Sequence, residues 1–257
     1  MTQAAQIATE YYMGQGMVFI GTKDATTGEP QGLRHLGNVT SLATTLKTSV
    51  IELKEAMTGT RGTAKRLTTE VGAGFSATLE SLNKENLAIA LRGEATDVAG
   101  STVVKATYKV FKGSVVKLAH IGISSVSVYD GATGLTAYTV TEDYTVNSNN
   151  ISIPLTGDIA TADSGTGVDV QISYTYAAQE KIEAFTVGEK EYYVYFEGLN
   201  TADENKAVVV EIYKVAMDPL KELALINDKQ AEIVFEGSCL LDSTRATGSK
   251  YFTVKKI

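Results

Sequence analysis

The sequence predicts a mainly β protein with one flanking α-helix. Apolar and polar residues alternate along most of the chain, and this period of two is typical of strands with one buried face. Glycine and threonine recur throughout these stretches, as they do in strands and tight turns. A helical pattern of apolar residues is confined to one segment, residues 83–91. We therefore expect a single helix to close one side of a sheet.

Residues 71–93 contain this helix and the strand that leads into it. Asn83 is suited to cap the helix N-terminus, and Glu85 falls in the first turn, where the helix dipole favours an anion. Leu82 and Leu87 occupy the two positions of a hydrophobic staple. A basic residue followed by glycine predicts the helix end, so we expect about three turns.

Composition limits the classes of function. The chain has 257 residues, of which 44% are hydrophobic, enough for one large domain or two small ones. Its net charge of -7 argues against a surface that grips nucleic acid or anionic lipid. We expect a soluble protein made in the cytoplasm, because the sequence shows neither a secretory signal nor an apolar run long enough to span a membrane. Cys239 is the single cysteine, so stability must come from packing or association.

The first part of the chain is predicted to form an arm followed by a hairpin. Residues 1–13 are too poor in apolar side chains to bury themselves, so we interpret them as an arm. Residues 17–20 read as a short buried strand. A turn-rich loop, residues 24–32, then leads into a second strand within residues 33–46.

Residues 48–69 mix apolar and charged side chains around a glycine-containing tip, and such a segment cannot bury both faces within its own domain. One interpretation is a solvated hairpin, which charged and turn residues favour. The other is a long hairpin that packs on another subunit. The second interpretation, with the tyrosines of the arm, gives these candidate contact residues: Tyr11, Tyr12, Glu52, Glu55, Thr58, Gly59, Arg61 and Arg66.

Residues 114–178 differ in composition from the rest, with one basic residue, Lys117, against six acidic residues. This segment contains a series of short strands, including residues 138–146, and ends in a long strand, residues 168–176, with one apolar face. About 65 residues suffice for a small sandwich. We therefore predict a discontinuous body and an inserted immunoglobulin-like β-sandwich, with these bounds: 1–112 and 180–257 for the body, 113–179 for the insert.

The closing part of the chain is predicted to return to the body. Two strands flank a polar turn, residues 200–206, and two more strands end the chain. Between these pairs, Asp218 is interpreted as the cap of a short helix with Pro219 at its first position, where a missing N–H is harmless.

One motif suggests cofactor chemistry. Residues 71–77 fit the Gly-x-Gly-x-x-Ala dinucleotide fingerprint, in which glycines let a pyrophosphate approach a helix N-terminus. However, residues 64–70 are too polar for the buried parallel strand that the motif requires, and the helix begins only around Asn83. The preferred interpretation is a tightly packed β-strand, so no cofactor is predicted.

Metal and catalytic sites are not predicted either. His35 and His120 are the two histidines, and neither has a cysteine pair or an acid at ligand spacing. Acidic residues within 142–163 could chelate calcium, but solvated turn acids are the preferred interpretation. No serine lies in a nucleophile-elbow pattern, so no residue receives a catalytic role and we expect no enzyme activity.

A series of short phrases runs through the predicted body. They are Tyr12-x-Gly14-x-Gly16-x-Val18 followed by Gly21, Gly28-Glu29-Pro30, Leu33-Arg34-x-Leu36-Gly37-Asn38-Val39, Thr58-Gly59, Glu85-Asn86-Leu87-Ala88, Phe196-Glu197-Gly198-Leu199-Asn200, Tyr213-Lys214-Val215 and Phe235-Glu236-Gly237. In this order they resemble bacteriophage tail tube proteins, also called major tail proteins. The resemblance covers residues 1–112 and 180–257 and omits the insert.

The resemblance implies a tail-tube-type β-sandwich or barrel with a structural role. Proteins of that family form six-subunit rings whose inner sheets join into a β-lined channel, and the rings stack through a long hairpin and terminal arms. Carried onto this chain, the hairpin is residues 47–69 and the arm is residues 1–13. An acidic chain suits a conduit whose wall repels DNA phosphates. The insert would have to lie outside the tube, which favours a non-contractile tail.

The resemblance also implies partners and a location. The expected partners are further copies of the chain in stacked hexameric rings, other tail proteins (tape measure, terminator, and distal tail or baseplate proteins), and DNA that passes through the lumen without specific binding. No membrane partner is expected. The location would be the virion tail, after synthesis and assembly in the bacterial host cytoplasm. Two other classes stay open: an adhesin built of immunoglobulin-like modules and a dinucleotide-binding enzyme.

Overall fold

A computed structural model describes residues 10–24, 26–57 and 59–257, and the predicted mainly β class is confirmed, with 53% strand against 5% helix. The elements in chain order are β1 (Gly14–Lys23), β2 (Pro30–His35), β3 (Val39–Lys54), β4 (Thr63–Leu79), α1 (Lys84–Ala90), β5 (Glu94–Val98), β6 (Ser101–Val110), β7 (Val115–Lys117), β8 (Ile123–Asp130), β9 (Thr145–Val146), β10 (Asn150–Ser152), α2 (Asp158–Ala162), β11 (Val168–Tyr176), β12 (Gln179–Glu183), β13 (Glu191–Asn200), β14 (Lys206–Met217), β15 (Ile233–Cys239) and β16 (Phe252–Lys256).

The chain divides into two compact units, and the boundary differs from the predicted one. The second unit is Ala95–Lys181, and the first comprises the residues before it together with Ile182–Ile257. The sequence analysis assigned residues 101–112 to the body. In the structure β6 pairs antiparallel with β11 along its length, so it belongs to the second unit. The chain passes between the units through β5 and β12, which pair with each other.

The first unit is built on one eight-stranded sheet. Its strand order is β2-β1-β13-β14-β15-β4-β3, and β16 also pairs with β14. Alternate residues of these strands point to one shared core, as the period of two requires. The buried apolar residues of this core include Val18, Ile20, Leu36, Phe75, Ala77, Leu79, Val194, Ile212, Val215, Ile233 and Phe235.

Helix α1 covers part of this core, as predicted, but it is shorter than expected. Asn83 is the N-cap and its side chain accepts a hydrogen bond from the Asn86 backbone N–H at 2.8 Å. The predicted staple residues Leu82 and Leu87 both pack against the core. The helix has seven residues, or about two turns, because the chain leaves it by a left-handed turn at Arg92.

Asn86 fastens α1 to the sheet. Its side chain is fully buried, and its amide donates to the carbonyl oxygens of Leu36 at 2.8 Å and Ser81 at 2.9 Å. Its amide oxygen accepts from Arg34 Nη1 at 2.8 Å. The amide therefore has its polar atoms satisfied inside the core, as buried polar groups require.

The second unit is a two-sheet sandwich. One sheet has the order β6-β11-β8 and the other β7-β10-β9. Both contribute to one apolar core, which includes Val110, Val116, Val128, Ile151, Val170, Ile172 and Tyr174. The strand predicted at residues 168–176 is confirmed as β11.

Two local predictions for the second unit are wrong. Residues 138–146 contain only the short strand β9, because the buried Asp143 carboxylate accepts from the backbone N–H groups of Thr139 at 2.8 Å and Asp158 and holds the segment in turns. The sequence analysis also placed only strands in this segment, whereas the structure adds the short helix α2, whose Ile159 packs in the sandwich core.

The helix predicted at Asp218 does not form. The Asp218 backbone N–H donates to the carbonyl oxygen of Glu236, and the Leu220 N–H donates to that of Ala90. These partners hold the segment extended after β14, so long-range pairing overrides the local capping signal. No helix among the described residues is long and apolar enough to cross a membrane.

Candidate assembly interface

The hairpin formed by β3 and β4 is the longest pairing of the first unit. Its two strands pair from Val39 opposite Leu79 to Lys54 opposite Thr63, which confirms the hairpin predicted at residues 47–69. The inner half of β4 lies in the core. Between Ala73 and the hairpin tip the two strands extend away from the core, and residues 61–71 are all exposed.

The outer half of the hairpin exposes apolar side chains on both faces. Ile51 lies directly opposite Leu67, and both are exposed on one face. On the other face Leu46 is 74% exposed and Val71 61% exposed. Successive strand residues point to opposite faces, so folding of one chain leaves neither face covered. This arrangement favours the interpretation in which the hairpin packs on another subunit.

The hairpin tip is organised by Glu55, which the sequence analysis gave as a candidate contact residue. Its carboxylate accepts from the Met57 N–H at 3.3 Å and from the Thr60 hydroxyl at 3.2 Å. Its own N–H donates to the Gly62 carbonyl oxygen at 2.8 Å and closes the loop. Glu55 thus shapes the tip from within it.

The remaining hairpin candidates lie at or near the tip. Gly59 and Arg61 both adopt left-handed backbone conformations, with φ of 81° and 49°. Glu52 and Arg66 are cross-strand partners on one face of the hairpin, where their opposite charges are favourable neighbours. Thr58 lies outside the described residues.

The backbone beside the tyrosines of the predicted arm is fixed by Asn200, which the sequence analysis named in the resemblance and in a polar turn but did not connect with the arm. Residues 1–9 of the arm lie outside the described residues. The buried Asn200 side chain accepts from the Met13 N–H at 2.9 Å and donates to the Tyr11 carbonyl oxygen at 2.8 Å. With this backbone fixed, Tyr11 is 69% exposed and Tyr12 63% exposed.

The sheet of the first unit ends in two unpaired edges. In the described residues β3 pairs only with β4, and β2 pairs only with β1. A cleft of about 230 Å³ lies between β1 and β3, with Tyr12, Val18, Leu42 and Phe196 in its lining. The long edge of β3 therefore presents free backbone donors and acceptors, which are a template for a strand of another chain.

A second uncovered apolar surface lies on the face of β1, β13 and β14 that points away from the core. Met17 and Leu199 are exposed there and border an open groove with Val209. Below it Gly16 pairs with Gly198, and a Cβ at Gly16 would lie 2.2 Å from the Glu197 carbonyl oxygen. Side chains are thus excluded where the two strands approach most closely.

The dinucleotide fingerprint lies in the wrong structural context for its chemistry. Gly72 and Gly74 fall inside β4, which continues as an extended strand to Leu79. Helix α1 begins only after Asn83, so the glycines do not form the turn between a strand and a helix that would cradle a pyrophosphate.

Asp163, one of the acidic residues considered as a calcium ligand, instead accepts hydrogen bonds from backbone N–H groups. Asp163 accepts from the N–H groups of Lys112, Gly165 and Gly167, and these bonds lower the pKa of its carboxyl. Across the described ranges, no group of three or more His, Cys, Asp or Glu side chains is placed to hold a metal ion. Asp163 therefore caps a loop, as Asp143 does through its bonds to the Thr139 and Asp158 N–H groups.

The histidines and the cysteine also have structural surroundings. His35 Nδ1 accepts from the Gly37 N–H at 2.9 Å, and its ring meets Phe19 edge-on. His120 stacks on Tyr176 with 3.6 Å between ring centroids. Burial raises the pKa of the Cys239 thiol to about 11, so this side chain behaves as a small apolar group.

Comparison with known proteins gives one family. A family model described as Protein of unknown function UCP028589 matches residues 11–255. The match covers both units and nearly the whole chain. A search of curated proteins found no match.

Proposed function

We propose that this chain, which belongs to the UCP028589 family, is a structural subunit of a bacteriophage tail tube. Copies would assemble into hexameric rings that stack around a channel for genome ejection. The observation that carries the proposal is the outer half of the β3–β4 hairpin, with apolar side chains exposed on both faces and a free edge along β3. The family resemblance of the body supplies the expected ring architecture.

Association would cover the apolar side chains of the hairpin that stay exposed when a single chain folds. Covering one half-exposed leucine or isoleucine side chain contributes about 1 kcal/mol. Several such contacts occur per hairpin, and every subunit of a ring offers the same set, so the contributions accumulate over a ring. The free edge of β3 adds backbone hydrogen bonds to a neighbouring strand.

The proposed role needs no catalytic group and no cofactor. DNA would pass through the lumen without specific binding, which agrees with the net charge of -7. Tape measure, terminator, and distal tail or baseplate proteins would complete the tail inside the tube and at its ends. In this proposal the protein is assembled in the host cytoplasm and remains in the virion tail.

Electron microscopy of the purified protein tests the proposal. We expect rings or tubes of uniform width from the native chain. The double variant Ile51→Asp with Leu67→Asp places two carboxylates on an uncovered face, so it should stay folded and dispersed. Val104→Asp is the control, because Val104 is more exposed than either hairpin residue but lies on β6 of the second unit. A native protein that never associates at high concentration, even beside its tail partners, would contradict the proposal.

A further inference from the structure

A small cavity at the C-terminal end of α1 has a basic lining. It has a volume of about 100 Å³, and Arg92, Lys190 and Tyr192 line it together with apolar side chains and glycines. None of the described residues in the lining is acidic. All of these residues belong to the first unit.

Arg92 enters this cavity with an unused donor. Its Nη2 donates to the Met217 carbonyl oxygen at 2.8 Å, but its buried Nε has no hydrogen-bond partner among residues 10–24, 26–57 and 59–257. Neither Arg92 nor Lys190 forms an ion pair with a carboxylate in the part of the chain that the structure describes. A buried donor of a charged group is unfavourable without an acceptor, so the Arg92 Nε favours an acceptor in this cavity.

Arg92 also holds an unfavourable backbone conformation. Its φ is 47°, at the position after a helix where glycine is usual. A left-handed conformation costs a residue with a side chain about 1 kcal/mol. The neighbouring Gly93 is needed for a close backbone contact, because a Cβ there would lie 2.1 Å from the Glu183 carbonyl oxygen. A strained residue with an unpaired charge is the kind of outlier that functional sites retain.

The other groups around the cavity are compatible with an anion. Burial raises the pKa of Tyr192, although Arg34 and Arg92 nearby act to lower it, so its hydroxyl stays a neutral donor. The carbonyl oxygens of the last helical turn are occupied, since those of Ala88, Ile89 and Ala90 accept from the N–H groups of Gly93, Arg92 and Leu220. The negative end of the helix is therefore largely masked.

We propose that this cavity binds one anionic oxygen group, a carboxylate or a phosphate, through the Arg92 guanidinium, the Lys190 ammonium and the Tyr192 hydroxyl. Arginine forms its strongest hydrogen bonds with such groups. The volume admits a single group of this size and is too small for a nucleotide. The group comes either from free inorganic phosphate or from an acidic side chain of a second copy, and the latter source rests on the proposed function.

Thermal unfolding of the dilute, dispersed protein tests the first source. Inorganic phosphate should raise the Tm saturably relative to sodium chloride at equal ionic strength. Arg92→Gly and Lys190→Gln should each lose this rise. Arg92→Gly relieves the left-handed strain and loses the hydrogen bond to the Met217 carbonyl oxygen; these two effects oppose each other, so without phosphate the variant should stay folded. Lys229→Gln removes the same charge from an exposed loop and should keep the phosphate response.

The concentration at which rings or tubes form tests the second source. If a carboxylate of a second copy fills the cavity, both variants should raise this concentration about tenfold or more, while the control does not. The inference is supported if phosphate raises the Tm of the native chain and both variants lose this rise. It is also supported if both variants raise the concentration at which rings or tubes form. Failure of the native chain to assemble overturns the proposed function alone, provided that phosphate still binds. Variants that match the native chain in both measurements overturn the inference. It is also overturned if phosphate does not raise the Tm of the native chain and both variants assemble at the native concentration.

Discussion

Replacing Asn86 by leucine should unfold the first unit at much lower denaturant concentration. Leucine has a similar volume, so the change removes hydrogen bonds with little loss of packing. The carbonyl oxygens of Leu36 and Ser81 lose their donors, and Arg34 loses the acceptor of Nη1. Arg34 Nη2 is already buried without a partner among the described residues, so the guanidinium has little else to bind there.

The size of this effect follows from the number of orphaned groups. Each buried polar group left unpaired costs about 1 to 3 kcal/mol. With three groups affected and some relaxation, we expect a loss of about 3 to 5 kcal/mol in the free energy of unfolding. A typical domain has about 5 to 15 kcal/mol in total, so the variant would lose a large share.

Urea unfolding provides the assay for Asn86→Leu. Tyrosine fluorescence and far-ultraviolet circular dichroism are suitable probes, since the chain has 13 tyrosines and no tryptophan. The transition of the second unit serves as an internal reference, and Asn227→Leu in an exposed loop is the matched control. A loss below about 1 kcal/mol would mean that water or a rearrangement satisfies the orphaned groups, and the reasoning would be refuted.

Three further predictions concern the insert, a strand contact and the pH dependence of stability. Replacing residues 99–178 by a two-residue turn should leave the β5–β12 pair closed and assembly intact, as seen by electron microscopy; loss of tubes would make the second unit part of the contact. Gly16→Val should lower the Tm of the first unit, because its Cβ would clash with the Glu197 carbonyl oxygen, and an unchanged Tm would contradict this close approach. Burial opposes ionisation of Asp242, but its bonds with Lys23 and Thr244 outweigh burial and hold the pKa below 3.8. The stability it contributes is therefore present at neutral pH and lost as the pH falls through the lowered pKa, so Asp242→Asn should flatten the acid limb of a stability-versus-pH curve.

Local signals predicted some of these features and failed for others. The cap at Asn83 and the hairpin at residues 47–69 depend on neighbours in sequence, so the pattern was sufficient for both. Asp218 carries an equally good helix signal, yet its backbone pairs with Glu236, which no local pattern reveals. β6 was assigned to the wrong unit for the same reason, since its partner β11 lies far along the chain.

The candidate contact residues show the same limit. Tyr11, Tyr12 and the exposed hairpin could be inferred from composition. Asn200, which fixes the backbone beside the tyrosines, lies 187 residues after Met13 in the sequence. Only the fold brings the two residues within hydrogen-bond distance. Glu55 was predicted to contact another subunit, whereas its carboxylate accepts hydrogen bonds from Met57 and Thr60 within the tip.

The uncovered hairpin also carries its own protection against aggregation. Charged side chains are interspersed with its apolar ones and are exposed on both strands: Lys47, Glu52, Lys54, Lys65, Arg66 and Glu70. Such charges act as gatekeepers, because an unrelated strand that adds to the edge must bury them without matching partners. We therefore expect newly made chains to tolerate crowding with foreign polypeptides, and to be selective for a surface whose charges complement their own.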